Sequence, residues 1–268
     1  MLECRTCGFR FIDYLDSDWA SINAIDEAAI ANTVGVIKTG LESSRARIAS
    51  CIDLVQSHVA HGPILDVGAG GGLFLGRISE LFPGSLGIEL MPVLYEICRR
   101  AGLRISREPL ESAHWDGYRG AFGGVSMWDV IEHVNDPLAL CKRAWELLRD
   151  GGVLIMDTPM RDGLLYGVGE TTAMLSRGRY PTTLGIQYSP EPFAHKQIFR
   201  KIDMHRMLST AGFTSVSITE KKELSFPVRF YLQALFKSRI LARVLEPAVA
   251  TLLWLAMFKN KMIVVAVK

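Results

Sequence analysis

An α/β fold, with a mostly parallel sheet covered by helices on both faces, is predicted by three observations. Short apolar runs alternate with segments of helical period from residue 64 onward, and such alternation builds parallel strands joined by crossover helices. A glycine-rich turn, Gly68 to Gly72, joins the first apolar run to the first helical segment. An acidic residue, Glu89, ends the second apolar run, at the spacing of about twenty residues that puts a carboxylate at the tip of the next strand.

The elements follow in order. In 17–60, Ile22, Ile25 and Ala29, then Ile48, Ile52 and Val55, recur at helical spacing and predict a helical lead-in. Strands are expected near 64–67, 85–89, 103–106, 122–128, 151–157, 213–219 and 261–267, and helices near 72–81, 91–101, 137–149 and 202–211. Residues 158–200 carry Gly163, Tyr166, Gly167, Gly169, Tyr180, Pro181 and Tyr188; an irregular connection of roughly 40 residues inside a compact domain suggests a lid. Residues 227–260 hold apolar side chains such as Phe230, Leu235, Ile240, Val244, Leu252, Trp254, Leu255, Met257 and Phe258, with Arg229, Lys237, Arg239, Arg243 and Lys259 against one acid, Glu246. They read as two amphipathic helices running from Pro227 and broken at Pro247. The chain thus divides into 1–60 (lead-in), 61–226 (core, with the lid at 158–200), 227–260 (apolar helical insertion) and 261–268 (final core strand).

Composition narrows the class. With 268 residues the chain can bury one substantial core. A net charge of +2 gives no reason to expect a nucleic-acid partner. The N-terminus has no basic-then-apolar leader, and no apolar run reaches the ~18 residues of a membrane span. Five scattered cysteines argue against a disulfide framework. A cytoplasmic protein with reduced thiols is expected, peripheral to the membrane if the apolar, basic 227–260 segment lies in an interface. That segment equally suits a greasy substrate wall, packing on the core, or a homodimer contact.

The turn defines the ligand chemistry. A dinucleotide site would present G-x-G-x-x-G to a pyrophosphate, but here Asp66 precedes the glycines in Asp66-Val-Gly-Ala-Gly-Gly-Gly72. An acid there repels phosphate and suits a ligand with sulfonium and ammonium groups. These residues resemble the first motif of the class I S-adenosylmethionine-dependent methyltransferases, and Gly87-Ile-Glu89 resembles their second. Met127-Trp-Asp-Val-Ile-Glu-His-Val-Asn-Asp-Pro137 is similar to a segment of the branch that includes ubiquinone-biosynthesis O-methyltransferases. Leu147 to Met156, and His195 to Phe199 leading into Leu208 to Phe213, resemble later family segments. The resemblance covers about residues 60–220 and the last strand. It implies a Rossmann-like seven-stranded sheet with an antiparallel last strand, with 261–267 as the candidate. Cys4-x-x-Cys7-Gly8 is similar to the second knuckle of an N-terminal zinc ribbon found in some relatives.

On this resemblance S-adenosylmethionine is the expected cofactor. Asp66 would partner its amino group, the backbone of Gly68, Ala69, Gly70 and Gly72 would line the methionine portion, and Glu89 would hold the ribose diol. Leu90, Met91, Leu110 and Glu111 would flank the adenine; Trp128, after the fourth strand, would turn its ring face to the sulfonium, and Asp129 would close the site. Methyl transfer to a hydroxyl needs a base, and His133 and His195 are the candidates, since a histidine can accept a proton near neutral pH. Asp129, Glu132 and His133 form D-x-x-E-H, similar to a divalent-metal set in related families, with His195 as a fourth ligand. The reading adopted is a metal-free site, with a divalent metal as its alternative. The expected activity is O-methylation of a small or lipid-like acceptor. The alternatives are a sugar or polysaccharide-pathway methyltransferase, or a non-catalytic cofactor-binding scaffold.

Overall fold

Apolar alternation along the strands sorts the interior into two layers in a computed structural model, which describes residues 2–13, 27–179, 184, 188, 195–222, 228–255 and 259–268. A hairpin, β1 (Leu2–Glu3) and β2 (Arg10–Phe11), precedes the long helix α1 (Glu27–His58). The sheet strands are β3 (Ile64–Val67), β4 (Leu86–Ile88), β5 (Ile105–Ser106), β6 (Phe122–Trp128), β7 (Leu148–Pro159), β8 (Ser215–Lys221) and β9 (Lys261–Val267). The remaining helices are α2 (Leu73–Leu81), α3 (Pro92–Arg100), α4 (Pro137–Leu147), α5 (Leu164–Leu175), α6 (Lys201–Ala211), α7 (Val228–Phe236) and α8 (Arg239–Leu255). Spatial strand order is β5-β4-β3-β6-β7-β9-β8. β3 to β7 pair in parallel, and β9 runs antiparallel to both its neighbours.

One sheet face presents Leu65, Val125, Met127, Leu154 and Met156 to α4 and α6. The other presents Ile64, Val153 and Ile155 to α1 and α2 through Val55, Phe74 and Ile78. Local signals place the helices on this frame. Pro137 opens α4, and the Asp136 side chain accepts from the Ala139 N–H at 2.9 Å. Gly72 takes φ 76° before α2, and a Cβ there would come within 2.5 Å of Leu103 Cδ1.

Several expectations need correction. The helix expected over 137–149 stops at Leu147, because Leu148 is extended and pairs with Phe122 to start β7. The supposed lid is partly regular: β7 continues to Pro159 beside β9, and α5 is a helix. Tyr166, Leu184, Tyr188 and Ile198 form a small separate core with Ile12, so this segment packs on the N-terminal hairpin. The insertion is not broken at Pro247, which lies inside α8. The break comes at Lys237, held at φ 52°, and Ser238 Oγ then accepts the Leu241 N–H; a left-handed residue ends α7 before the proline can act. Ile22, Ile25, Tyr180, Pro181, Pro227, Met257 and Phe258 lie outside the described residues, as do the side chains of Ala29, Phe230, Trp254 and Leu255. Cys4 and Cys7 sit at the hairpin turn, where the backbone amides of Cys7 and Thr6 hold the Cys4 thiol below its usual value.

Four charges join the elements around the carboxyl ends of β6 and β7. Lys261 Nζ, fully buried at the start of β9, lies 2.5 Å from Asp129 and 3.3 Å from Asp157. Arg47 of α1 reaches the same two carboxylates at 2.7 and 3.1 Å. Burial would raise Asp129, but Lys261 and then Arg47 overcome it and hold the carboxyl below its ordinary value. Burial would lower Lys261, and the two aspartates hold it above its ordinary value. Removing one member leaves buried charge uncompensated, so Lys261→Met is expected to destabilise the fold by about 3–5 kcal/mol. Adding Asp157→Asn should recover part of that loss. Urea denaturation measures both, and an unchanged midpoint for Lys261→Met would show that the cluster contributes nothing.

Candidate functional site

A cleft of about 410 Å³ opens at the carboxyl ends of β3, β4 and β6, lined by Val67, Gly68, Glu89 to Met91, Leu94, Pro109 to Glu111, Asp129, Val130, His133 to Asn135 and Leu140. This is where an open parallel sheet binds ligands. Its walls are mostly aliphatic, with carboxylates at Glu89, Glu111 and Asp129.

Glu89 Oε2 accepts from the Gly70 N–H at 2.7 Å, and Oε1 from the Met91 N–H at 2.8 Å. The glycine loop is thus pinned to the tip of β4 by the side chain expected to hold the ribose. Burial raises the Glu89 carboxyl against these two amides. Gly68 takes φ 75°, and a Cβ there would lie 2.6 Å from Val130 Cγ2, so a side chain would push the loop off the turn after β6.

Asp66 lies beneath the loop, 1% exposed, and accepts from Ser126 Oγ at 2.8 Å. Burial pushes its carboxyl up to about 7, against the Ser126 hydrogen bond and with help from Glu89. Among the described residues no cation pairs with it. A buried carboxylate short of positive charge suits a cationic ligand group, so Asp66 fits the ammonium of S-adenosylmethionine, and Glu89 fits its ribose diol.

The sequence-expected residues divide. Gly68, Glu89, Leu90, Met91, Leu110, Glu111, Asp129 and His133 line the cleft. Ala69, Gly70 and Gly72 shape the loop behind it, and Asp66 lies under it. Trp128 is not on the cleft wall: its ring meets Phe74 edge-on at 5.3 Å within the layer toward α1 and α2. Strand alternation turns Trp128 and Met127 to opposite faces, so an indole over the sulfonium is not part of this site. Val130, Val134 and Asn135 line it instead. They sit in the turn after β6, on either side of the Glu132-His133 pair.

His195 is brought to His133 by a clamp. Lys196 N donates to the Glu132 carbonyl at 2.8 Å, Lys196 Nζ to the His133 carbonyl at 2.7 Å, and Gln197 Nε2 to the carbonyls of Ile131 and Val134. The two imidazoles then meet edge-to-face at 4.7 Å. Glu132, wholly buried, accepts from Thr158 Oγ1 at 2.9 Å and stands 4.0 Å from His133 Nε2. Burial, then the Asp129 charge, raise its carboxyl well above the ordinary range.

Glu132, His133 and His195 place their ligand atoms within 4.8 Å of one another. Two imidazoles and a carboxylate are a donor set that suits a divalent transition metal. Asp129, expected as the first member of the D-x-x-E-H set, is not part of it. Its carboxylate is taken by Lys261 and Arg47, and its left-handed backbone (φ 54°) turns it to that pair.

Comparison with known proteins agrees with this geometry. A family model described as a methyltransferase domain matches residues 43–218. The ubiquinone biosynthesis O-methyltransferase of Xanthomonas campestris pv. campestris is 32% identical over 121 residues, covering 40% of this chain and 48% of that protein. The protein of the same name from Methylococcus capsulatus is 28% identical over 141 residues, covering 48% of this chain and 60% of that one. The chain therefore spans about half the length of these curated relatives. Among solved structures, a possible histamine N-methyltransferase from Thermotoga maritima superposes with a TM-score of 0.55 at 16% identity, covering 90% of this chain and 99% of that one; this is a likeness of fold. With its glycine loop, its acid-tipped β4 and the match over 43–218, the chain belongs to the S-adenosylmethionine-dependent methyltransferase family.

Proposed function

We propose that the chain methylates a hydroxyl oxygen of a small or lipid-like acceptor, with His133 as the base and His195 holding it in place. The observation that carries this reading is the imidazole of His133 on the wall of a mostly aliphatic cleft, with the His195 ring against it and the Glu132 carboxyl 4.0 Å from its Nε2. The names of the distant curated relatives point to oxygen as the acceptor atom.

Bound S-adenosylmethionine supplies an electrophilic methyl on a sulfonium. The chain's work is to hold the two reactants in line and keep water out. Asp66 and Glu89 fix the donor's two polar ends, and the aliphatic walls at Leu90 and Leu110 exclude water from the middle. His133 takes the hydroxyl proton as the new bond forms. Ring contact with His195, and the buried Glu132 carboxyl 4.0 Å from Nε2, limit where the His133 ring can point. An acceptor with an apolar body suits the aliphatic lining.

The same three side chains favour a second reading, in which a divalent metal held by Glu132, His133 and His195 lowers the pKa of the acceptor hydroxyl. Binding it needs the ionised form of Glu132, which burial disfavours.

Three outcomes are expected. The ionised form of Asp66 is the one that attracts an ammonium, so cofactor affinity should fall as pH drops below about 7, the value to which burial raises this carboxyl. Asp66→Asn should weaken binding by about ten- to a hundredfold and flatten the pH profile; calorimetry across the pH range reads both. The linked stability has the opposite sense. A carboxyl raised in the folded state stabilises the ligand-free chain below its unfolded value, and that contribution is lost as pH rises to about 7.

With a catechol probe, His133→Ala should lower kcat by about 10²–10⁴-fold with cofactor affinity kept. His195→Ala should lower it less. Equal turnover in wild type and His133→Ala would remove His133 as base. Chelation with EDTA separates the two readings: activity lost and then restored by a divalent salt supports the metal, and activity kept supports the His133 base alone.

A further inference from the structure

We propose that the α7–α8 hairpin is a docking surface for anionic membrane. Its inner face is closed, with Leu232 and Ala242 buried. Its outer face is apolar and open. Ile240, Val244, Ala248 and Leu252 recur every four residues and so line one side of α8, all exposed, Ile240 at 79% and Val244 at 69%. Leu235, Phe236 and Leu241 extend this surface around the hairpin corner. A stripe of large apolar side chains this open calls for a partner.

The charges choose which partner. Arg229 is engaged by Glu246 within the hairpin. Lys237 at the corner and Arg239 and Arg243 beside the stripe are exposed, and among the described residues none has a carboxylate partner. Cations on long stems flanking an apolar stripe can bury the stems while the heads stay at the level of lipid phosphates. A second copy of this chain fits less well. A two-fold contact on this face would set the same three cations against each other, and the hairpin's acid, Glu246, is already paired. No helix among the described residues is long and apolar enough to cross a membrane, so the contact is one of lying on the surface. The inference is independent of the methyl acceptor, and its failure would leave the proposed reaction standing.

Flotation of the full chain on a density gradient tests it. The chain should float with vesicles of equal parts phosphatidylcholine and phosphatidylglycerol, stay behind with phosphatidylcholine alone, and release as salt rises. Ile240→Asp with Val244→Asp should reduce the floated fraction at least about tenfold, and so should Arg239→Glu with Arg243→Glu, at unchanged S-adenosylmethionine binding. The charge-reversal pair is exposed and keeps the test decisive if the apolar pair fails to fold. Absence of flotation with anionic vesicles overturns the proposal, as does flotation that neither variant reduces. A wild-type dimer by light scattering that Ile240→Asp with Val244→Asp splits, with no flotation, would assign the face to a second copy.

Discussion

The cluster of Arg47, Asp129, Asp157 and Lys261 is the constraint on which the cleft depends. Two carboxylates at the ends of neighbouring parallel strands could not both stay ionised in the interior on their own. Lys261 arrives on the antiparallel last strand, and Arg47 arrives from the N-terminal helix. Each carboxylate meets both cations, and the Asp129 N–H donates to Asp157 Oδ1 at 2.9 Å. The cluster also fixes register. Lys261 pairs opposite Pro159 while Asp157 pairs opposite Ile263, and a slip of one residue would turn Lys261 to the other face of the sheet. The positive φ of Asp129 is tolerable for an aspartate, and the ion pairs on both its oxygens hold it there.

Within the cluster Asp129 is held low while burial still raises Asp157; the buried acids outside it meet burial with less positive charge nearby. Asp66 has a serine hydroxyl and, among the described residues, no cation, and burial raises it to about 7. Glu132 has a threonine hydroxyl and lies near the Asp129 charge, and burial, then that charge, raise it well above the ordinary range. Asp129, in the same neighbourhood, is held low. Environments that push neighbouring carboxyls apart in this way divide their roles. The acid already neutralised inside the fold serves structure, and an acid left short of positive charge is ready for a cationic ligand. Asp66, beneath the glycine loop, is an acid of this second kind.

What the sequence made legible was local. The ends of β3, β6 and β9 fall where apolar runs begin and stop, and the glycine loop with Glu89 could be read from spacing because strand, turn and helix there are contiguous. The misreadings have physical causes. Trp128 was expected over the cofactor because it ends a strand buried on both faces; with apolar residues on either side, alternation gives no sign of which face meets the ligand. Pro247 was expected to break the insertion, but its helix runs through it, and the turn was already made at Lys237, whose left-handed backbone no residue type announces. Arg47 and Lys261 drew no functional expectation at all. Nothing in the composition around a lone arginine in a helix, or a lysine opening a strand, tells that the two converge on carboxylates far away in the chain.

The N-terminal hairpin gains a meaning from the same kind of long-range contact. The segment that carries His195 is held on two sides. Toward the cleft, Lys196 and Gln197 grip the carbonyls of residues 131–134. Away from it, Ile12 N donates to the Lys196 carbonyl at 2.8 Å, and Phe11 bridges to Gln197. Arg161 and Arg200 fasten the hairpin turn through the carbonyls of Gly8 and Cys7. Residues 2–13 lie outside the region matched by the methyltransferase model, yet they form the outer half of the clamp that sets His195 against His133. The glycine loop and Glu89 thus lie within the matched region, whereas the histidine pair is positioned partly by residues outside it. That division accounts for a glycine loop readable as one contiguous stretch, and for two histidines that the sequence could name singly but whose contact exists only in three dimensions.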